Sequence, residues 1–413
     1  MHRQIKTLQN LLLMEQIKMN EYQNIKTPCF ILDKEELGRS VEGFQQALAN
    51  NFQHVVVGYS VKTNSIPYCL HLAEKYSCFA EVVSYDEYYL ALKCGYRKDQ
   101  IIYNGPMKSK ESFLDAIING AIVNIETHRE LDWLKELPQD KLFKVGLRLN
   151  VNITKVSPED ADGDNDNSRF GFSDETSEFL DAVSYIQGLS NVRLAGLHIH
   201  RTAHSRSIRF YRNSIRYACE TIRKYGLQLD YLDVGGGYFG IFPNKPTYQE
   251  YADAFKEVLA TYHLDGMKVI VEPGNALVAS CFSFVSEVVD VKHVEENTWF
   301  ITTDGTRNDV DPFFRKTGYI TEIIRQGTSE IAEKQIVSGC TCLEYDRLFT
   351  LEQQPLLAVG DRIIYKNVGA YTMCLTPLFI RYIPNIYMKK EDGYELIRQK
   401  WTENEYIQKS KIQ

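Results

Sequence analysis

The chain has 413 residues, of which 44% are hydrophobic and 24% charged. Those proportions exclude an intrinsically disordered or collagen-like chain, and the length suits two or three domains. Lys plus Arg (47) against Asp plus Glu (54) leaves a formal net charge of −7, which argues against nucleic acid or an anionic membrane surface as the main partner.

Residues 1–26 read as an N-terminal extension, with Leu8, Leu11, Leu12 and Ile17 on one helical face. The apolar run Leu11–Met14 is far too short to span a membrane, and no small-residue cleavage site follows it. The 9 cysteines are scattered without a paired-ligand pattern, which fits reduced thiols and a cytoplasmic protein.

From residue 27 onward, short β-rich apolar runs alternate with helix-length stretches. The runs are His54–Tyr59, Cys78–Val83, Ile101–Tyr103, Ala121–Ile125, Lys144–Leu149, Arg193–His198, Tyr231–Val234 and Lys268–Val271. Amphipathic patterns at Ser84–Lys93, Ser109–Ile118 and Phe210–Tyr225 predict helices between them. This alternation predicts an α/β fold, a (β/α)8 TIM-type barrel over residues 27–275, close to the usual size of about 250 residues. After Gly274 the pattern changes to strand and turn. Residues 276–413 are expected to form a second, mainly antiparallel β domain, with strands at Phe282–Val291, Trp299–Thr303, Tyr319–Arg325, Arg362–Lys366 and Phe379–Ile383.

Polar and glycine residues gather at the C-terminal ends of the barrel strands, the face on which such barrels build their sites. Lys62 follows the first run among Tyr59, Val61 and Ile66, where desolvation would free its amine as a nucleophile; a plain surface lysine is the alternative. Gly235-Gly236-Gly237 offers backbone amides for an anion, or a simple strand-to-helix turn. Glu272 stands at the last strand end, able to hold a protonated ring nitrogen or one leg of a structural ion pair. His198 and His200 share a strand face, but no third-ligand pattern accompanies them, so no metal is expected. The acidic loop Asp160–Asp166 fails the calcium-loop pattern and reads as solvated, and Cys340 and Cys342 read as ordinary buried thiols.

Taken in chain order, the motifs are Tyr59-Ser-Val-Lys-Thr-Asn64, Glu81-Val-Val-Ser84, Asn104-Gly-Pro-Met-Lys-Ser109, Ser168-Arg-Phe-Gly-Phe172 and Gly196-Leu-His-Ile-His200. They continue with Asp233-Val-Gly-Gly-Gly-Tyr238, Glu272-Pro-Gly-Asn275, Gly339-Cys-Thr-Cys342 and Gly369-Ala-Tyr-Thr372. This series, from Thr27 to Ile383, resembles the pyridoxal-phosphate decarboxylases of diaminopimelate, ornithine and arginine, built on the alanine-racemase-like barrel.

The resemblance implies pyridoxal 5'-phosphate as cofactor and an amino acid as small-molecule substrate. It implies that Lys62 holds the cofactor covalently, that His200 stacks on its ring, and that Glu272 keeps the ring nitrogen protonated. Glu81 and Arg148 would lie beside the ring. Gly235, Gly236, Gly237, Gly274 and Asn275 would cradle the phosphate, with the Tyr371 hydroxyl against it. Cys342 would return a proton to the α-carbon across the interface of a homodimer with shared active sites, and the β domain would contribute to dimer and site alike. Asn308, Asp309 and Glu344 would reach the substrate.

The series also departs from the family pattern. Asn275 replaces a common arginine, and Arg201-Thr202-Ala203 replaces an apolar residue, glycine and serine. Leu343 replaces an acidic residue, and Asp311 an arginine of the diaminopimelate enzymes. The expectation is therefore a non-standard or acylated amino acid of a siderophore or antibiotic type of pathway. The alternatives are diaminopimelate itself, an amino-acid racemase, or a non-catalytic regulator on the same fold.

Overall fold

The computed structural model describes residue 22 and residues 25–163, 166–327 and 329–411. The predicted face through Leu8, Leu11, Leu12 and Ile17 lies outside the described residues. The chain divides into two units: Gly38–Val278, and the described residues up to Leu37 together with those from Ala279 onward.

In the second unit the first strand is β1 (Cys29–Leu32). The first unit is a closed parallel barrel of β2 (Val55–Ser60), β3 (Phe79–Ser84), β4 (Ile101–Met107), β5 (Ile122–Ile125), β6 (Phe143–Arg148), β7 (Val192–His198), β8 (Tyr231–Asp233) and β9 (Lys268–Val271). It closes where β2 pairs with β9, Val55 opposite Val269 and Val57 opposite Val271. All of the apolar runs read from the sequence are barrel strands. They carry near-continuous β-branched residues because both faces are covered: the inner by side-chain layers, the outer by helices.

One inner layer joins Ile102, Ala195, Tyr231 and Ile270. Tyr231 fits there only because its neighbours are glycine. A Cβ on Gly196 would lie 2.0 Å from the Tyr231 ring, and one on Gly146 would lie 2.3 Å from its hydroxyl. The helices Tyr85–Lys93, Lys110–Ile118 and Ile208–Lys224 start where the pattern predicts. Ser84, Ser109 and Ser207 each accept a backbone N–H of the first turn, a cap of about 1 kcal/mol apiece. Among the described residues no helix is long and apolar enough to cross a membrane.

The second unit is a mainly antiparallel sheet. Its further strands are β10 (Phe282–Glu295), β11 (Thr298–Thr303), β12 (Thr321–Ile324), β13 (Ile331–Ser338), β14 (Arg347–Pro355), β15 (Arg362–Tyr365), β16 (Asn385–Lys390) and β17 (Gly393–Arg398). The main path runs β14-β13-β11-β10-β1-β16-β17, with β15 on β10 and β12 on β15.

Two expectations need correction. Residues 27–37 do not open the barrel, because β1 lies between β10 and β16, with Cys29 opposite Val285 on one side and Asn385 on the other. Its four residues are buried on both faces, a pattern that suits a barrel strand equally well. Phe379–Ile383 is not a strand: Ile380 has φ +68° and Pro384 lacks an N–H, so pairing begins only at Asn385. β13, β14, β16 and β17 escaped the sequence reading because charged and polar residues interrupt their apolar alternation.

Candidate active site

A cavity of about 430 Å³ opens at the C-terminal ends of the barrel strands, and Lys62, Glu81, Arg148, His200 and Glu272 all line it. Lys62 lies in a short turn, Val61–Thr63, that ends β2. Its Nζ donates to Glu81 Oε2 at 2.5 Å and to Ser60 Oγ at 2.9 Å. The Ser60 hydroxyl donates to the same carboxylate oxygen at 2.6 Å. Glu81 is 1% exposed while Lys62 retains 31% of its side-chain surface, so the amine faces the cavity from a buried anionic anchor.

His200 is neutral. Its Nδ1 accepts the Gly236 N–H at 3.1 Å, and burial, reinforced by the charges of Arg148 and Lys62, holds the imidazole well below its ordinary value. Arg148 bridges two barrel segments. It donates to Glu126 Oε2 at 2.9 Å and to the His200 carbonyl at 3.1 Å, and its guanidinium stacks 4.7 Å over Phe170.

Glu272, at the end of β9, is 3% exposed. Burial works against its charge, but His198 and then Lys62 outweigh it and hold the carboxyl well below the usual range. Asp233 moves the other way, pushed up by burial and by Glu272, so this pair of carboxyls carries one charge. The strand alternation sets His198 beside His200, but the structure groups His198 with Asp233 and Glu272. One ligand-type atom from each of the three falls within 4.8 Å of the others. Glu272 Oε1 and both Asp233 oxygens already accept hydrogen bonds from Asn104, Gly235 and Asn124; His198 and Glu272 line the cavity, with Asp233 buried behind them.

The glycine triplet takes its shape from these neighbours. Gly235 has φ +69°, and a Cβ there would meet His200 Nδ1 at 2.6 Å. A Cβ on Gly236 would lie 2.3 Å from the Glu272 carbonyl oxygen. The Gly235 N–H is taken by Asp233 Oδ1 at 3.0 Å and the Gly236 N–H by His200, so two amides expected in the phosphate cradle are committed within the barrel. Gly274 passes against Thr63, with Asn275 opening the next short helix.

In the second unit, Cys342 is exposed rather than buried, and Cys340 is partly exposed. The turn that carries them is held by Asp346, which accepts from Thr341 N–H at 3.1 Å, Thr341 Oγ1 at 2.6 Å, Thr306 Oγ1 at 3.0 Å and Arg307 N–H at 2.8 Å. Sequence reasoning passed over Asp346; its signal was an acid among small polar turn residues. Tyr371 is 39% exposed, at φ +53°. Glu344 is exposed, and Asn308 and Asp309 are buried. The Asp309 carboxylate accepts from the Thr306 N–H at 3.1 Å and pairs with Arg381 at 3.3 Å. Asp311 spends its carboxylate on Arg307 at 2.9 Å and on the backbone N–H groups of Arg315 and Lys316.

The acidic loop is not simply solvated. Asp164 and Asn165 lie outside the described residues, but Asp160 is 4% exposed and accepts from Ser157, Ser205, Ser207 and Arg209. Beside it Arg201 pairs with Asp166.

An amine on an anionic anchor, a neutral flat imidazole and an ionised carboxylate in one cavity fit a pyridine aldehyde. Comparison with known proteins agrees. Residues 37–279 match the profile of the pyridoxal-dependent decarboxylase, pyridoxal binding domain. A probable chloroplastic diaminopimelate decarboxylase of rice (Oryza sativa subsp. japonica) is 28% identical over 383 residues, 89% of this chain and 76% of that protein. The diaminopimelate decarboxylase of Aquifex aeolicus is 27% identical over 88% of this chain and 87% of its own length. The crystal structure of diaminopimelate decarboxylase from Methanocaldococcus jannaschii superposes with a TM-score of 0.82 at 23% identity, covering 96% of this chain and 94% of that one. The chain belongs to the pyridoxal-dependent decarboxylases; its cofactor is pyridoxal phosphate and its reaction is amino-acid decarboxylation.

Proposed function

We propose that this member of the pyridoxal-dependent decarboxylases acts on meso-diaminopimelate or a close diamino acid, releasing carbon dioxide from an α-carbon. The observation that carries the reading is the convergence of Lys62, Glu81, Arg148, His200 and Glu272 on one cavity, in a chain whose relatives are diaminopimelate decarboxylases along most of its length. The expectation of an acylated substrate in a siderophore or antibiotic pathway is not supported by the relatives named above, which are diaminopimelate decarboxylases. Two of the residues behind it have other uses in this chain, Asp311 as a brace for Arg307 and Arg201 as the partner of Asp166.

Bound pyridoxal phosphate supplies an electron sink for the pair left on the α-carbon when carbon dioxide departs. The protein's own groups do the rest. The Lys62 amine would hold the cofactor covalently, with Glu81 as the carboxylate beside it. Glu272 would hold a proton at the ring nitrogen, and the His200 ring would stack on the cofactor. The Gly237 and Gly274–Asn275 backbone would take the phosphate, and Tyr371 is proposed as its hydroxyl contact. Cys342 would return a proton to the α-carbon, and Asn308, Asp309 and Glu344 are the proposed substrate contacts.

The exposed placement of Cys342 and Tyr371 favours a homodimer in which these groups complete a site. The same unit exposes Leu375, Leu378, Phe379 and Ile380, an apolar surface suited to such an interface. The test is carbon dioxide release from a panel of meso-diaminopimelate, ornithine, arginine and N-acylated diamino acids, with Lys62→Ala as the blank. Fast release from an acylated member and none from diaminopimelate would overturn the substrate assignment.

A further inference from the structure

Beneath the cavity a polar chain crosses the barrel interior. The Tyr231 hydroxyl, on β8, donates to Asn124 Oδ1 at 3.0 Å. Asn124, on β5, donates from Nδ2 to Asn104 Oδ1 at 2.9 Å and to Asp233 Oδ2 at 3.2 Å. Asn104, on β4, donates from its one Nδ2 to Glu272 Oε1 at 2.5 Å and to Glu81 Oε1 at 3.1 Å. Asn104 is 2% exposed and Asn124 0%. A buried amide that lost these partners would pay the full desolvation cost, so the chain has a single sense. Asn124 takes up the Asn104 carbonyl, which leaves only the Asn104 NH2 to face the carboxylates. The glycine at 146 is part of the arrangement, because a Cβ there would lie 2.0 Å from Asn124 Oδ1.

The consequence is chemical. An amide NH2 can donate but cannot accept, so Glu81 Oε1 and Glu272 Oε1 must both be bare acceptors. On the other carboxylate oxygens, Glu81 Oε2 meets Lys62, and Glu272 Oε2 stands 3.6 Å from His198 Nε2. We propose that Asn104 is a positioning residue for the decarboxylation. Its NH2, oriented by Asn124 and Tyr231, couples the carboxylate that anchors Lys62 to the carboxylate that would hold the ring-nitrogen proton, and fixes the direction of both. This rests on the assignment of Glu272 to the ring nitrogen made above.

Three substitutions of the holoenzyme test it by pH titration of the bound cofactor's visible band, alongside kcat and KM. Asn104→Leu keeps the approximate shape and removes both donors, and Asn104→Asp replaces the two N–H donors by at most one O–H. Each moves the midpoint upward by about one pH unit or more, the size of one lost charged hydrogen bond, because a carboxylate without its donor holds a proton more tightly. Each lowers kcat by about tenfold or more while KM changes by less than about threefold. Glu272→Gln separates the two readings. If it leaves the band at the wild-type midpoint, Glu272 does not face the ring and the underlying assignment fails. If it moves the band and the Asn104 substitutions do not, the assignment stands and the positioning role is wrong. Should neither Asn104 variant fold, Tyr231→Phe decides, since it removes only the terminal O–H and keeps the ring. A smaller upward shift supports the chain, and an unchanged midpoint overturns it.

Discussion

Replacing Lys108 by methionine is the most informative stability experiment that the barrel offers. Lys108 and Glu130 are both 0% exposed and pair at 3.2 Å, and the same ammonium donates to the Gly105 carbonyl at 2.7 Å. At an effective dielectric of about 20 the gross attraction is about 5 kcal/mol, most of which offsets the burial of the two charges. Methionine fills the volume but leaves an ionised carboxylate with no counter-charge, and such removals cost about 3–5 kcal/mol. For a barrel of this size that is a fall in melting temperature of roughly 6–20 °C by calorimetry of the apoprotein.

The effect should also reach the site. Glu130 accepts the Glu126 N–H at 3.0 Å, and Glu126 is the partner of Arg148 on the cavity wall. The double substitution Lys108→Met with Glu130→Leu removes both charges and should recover most of the lost stability. A single variant within about 1 kcal/mol of wild type, or a double variant no better than the single, would refute the reasoning.

Cys342→Ala should lower turnover by about a hundredfold or more while leaving the cofactor's absorption unchanged, as expected of a proton donor that does not bind the ring; unaltered turnover would remove Cys342 from the mechanism. Gly235→Ala puts a Cβ 2.6 Å from the His200 ring at φ +69°, so cofactor retention measured by dialysis and fluorescence should fall by about tenfold or more. Burial raises the Asp160 carboxyl, but hydrogen bonds led by Arg209, with Ser205, Ser157 and Ser207, outweigh it and hold it down to about 2. Its folded value lies below the unfolded one of about 3.9, so its contribution is complete above about pH 4 and is lost as pH falls toward 2. Acid titration of stability should therefore show Asp160→Asn destabilised at neutral pH and converging on wild type near pH 2.

Much of the molecule is legible in its sequence, because the relevant signals are local. A run such as Val55-Val56-Val57 before Gly58 and Tyr59 reads as a strand, and Ser84 and Ser109 stand at the starts of the helices that they cap. Lys62, His200 and Glu272 stand at strand ends, so the alternation itself puts them on the face where barrel sites form. Tertiary structure decided what depends on partners far along the chain. Cys29–Leu32 has the pattern of a barrel strand, and only pairing with β10 and β16 assigns it to the other unit. Asn104 and Asn124 look like isolated polar residues in apolar strands, and closure of the barrel turns them into one hydrogen-bonded chain with Tyr231. The Gly235 and Gly236 amides look available for an anion until Asp233 and His200 fold against them. Strand and cap signals extend over a few residues, whereas the protonation and direction of a buried carboxylate depend on which distant donors the closed barrel brings within hydrogen-bond distance.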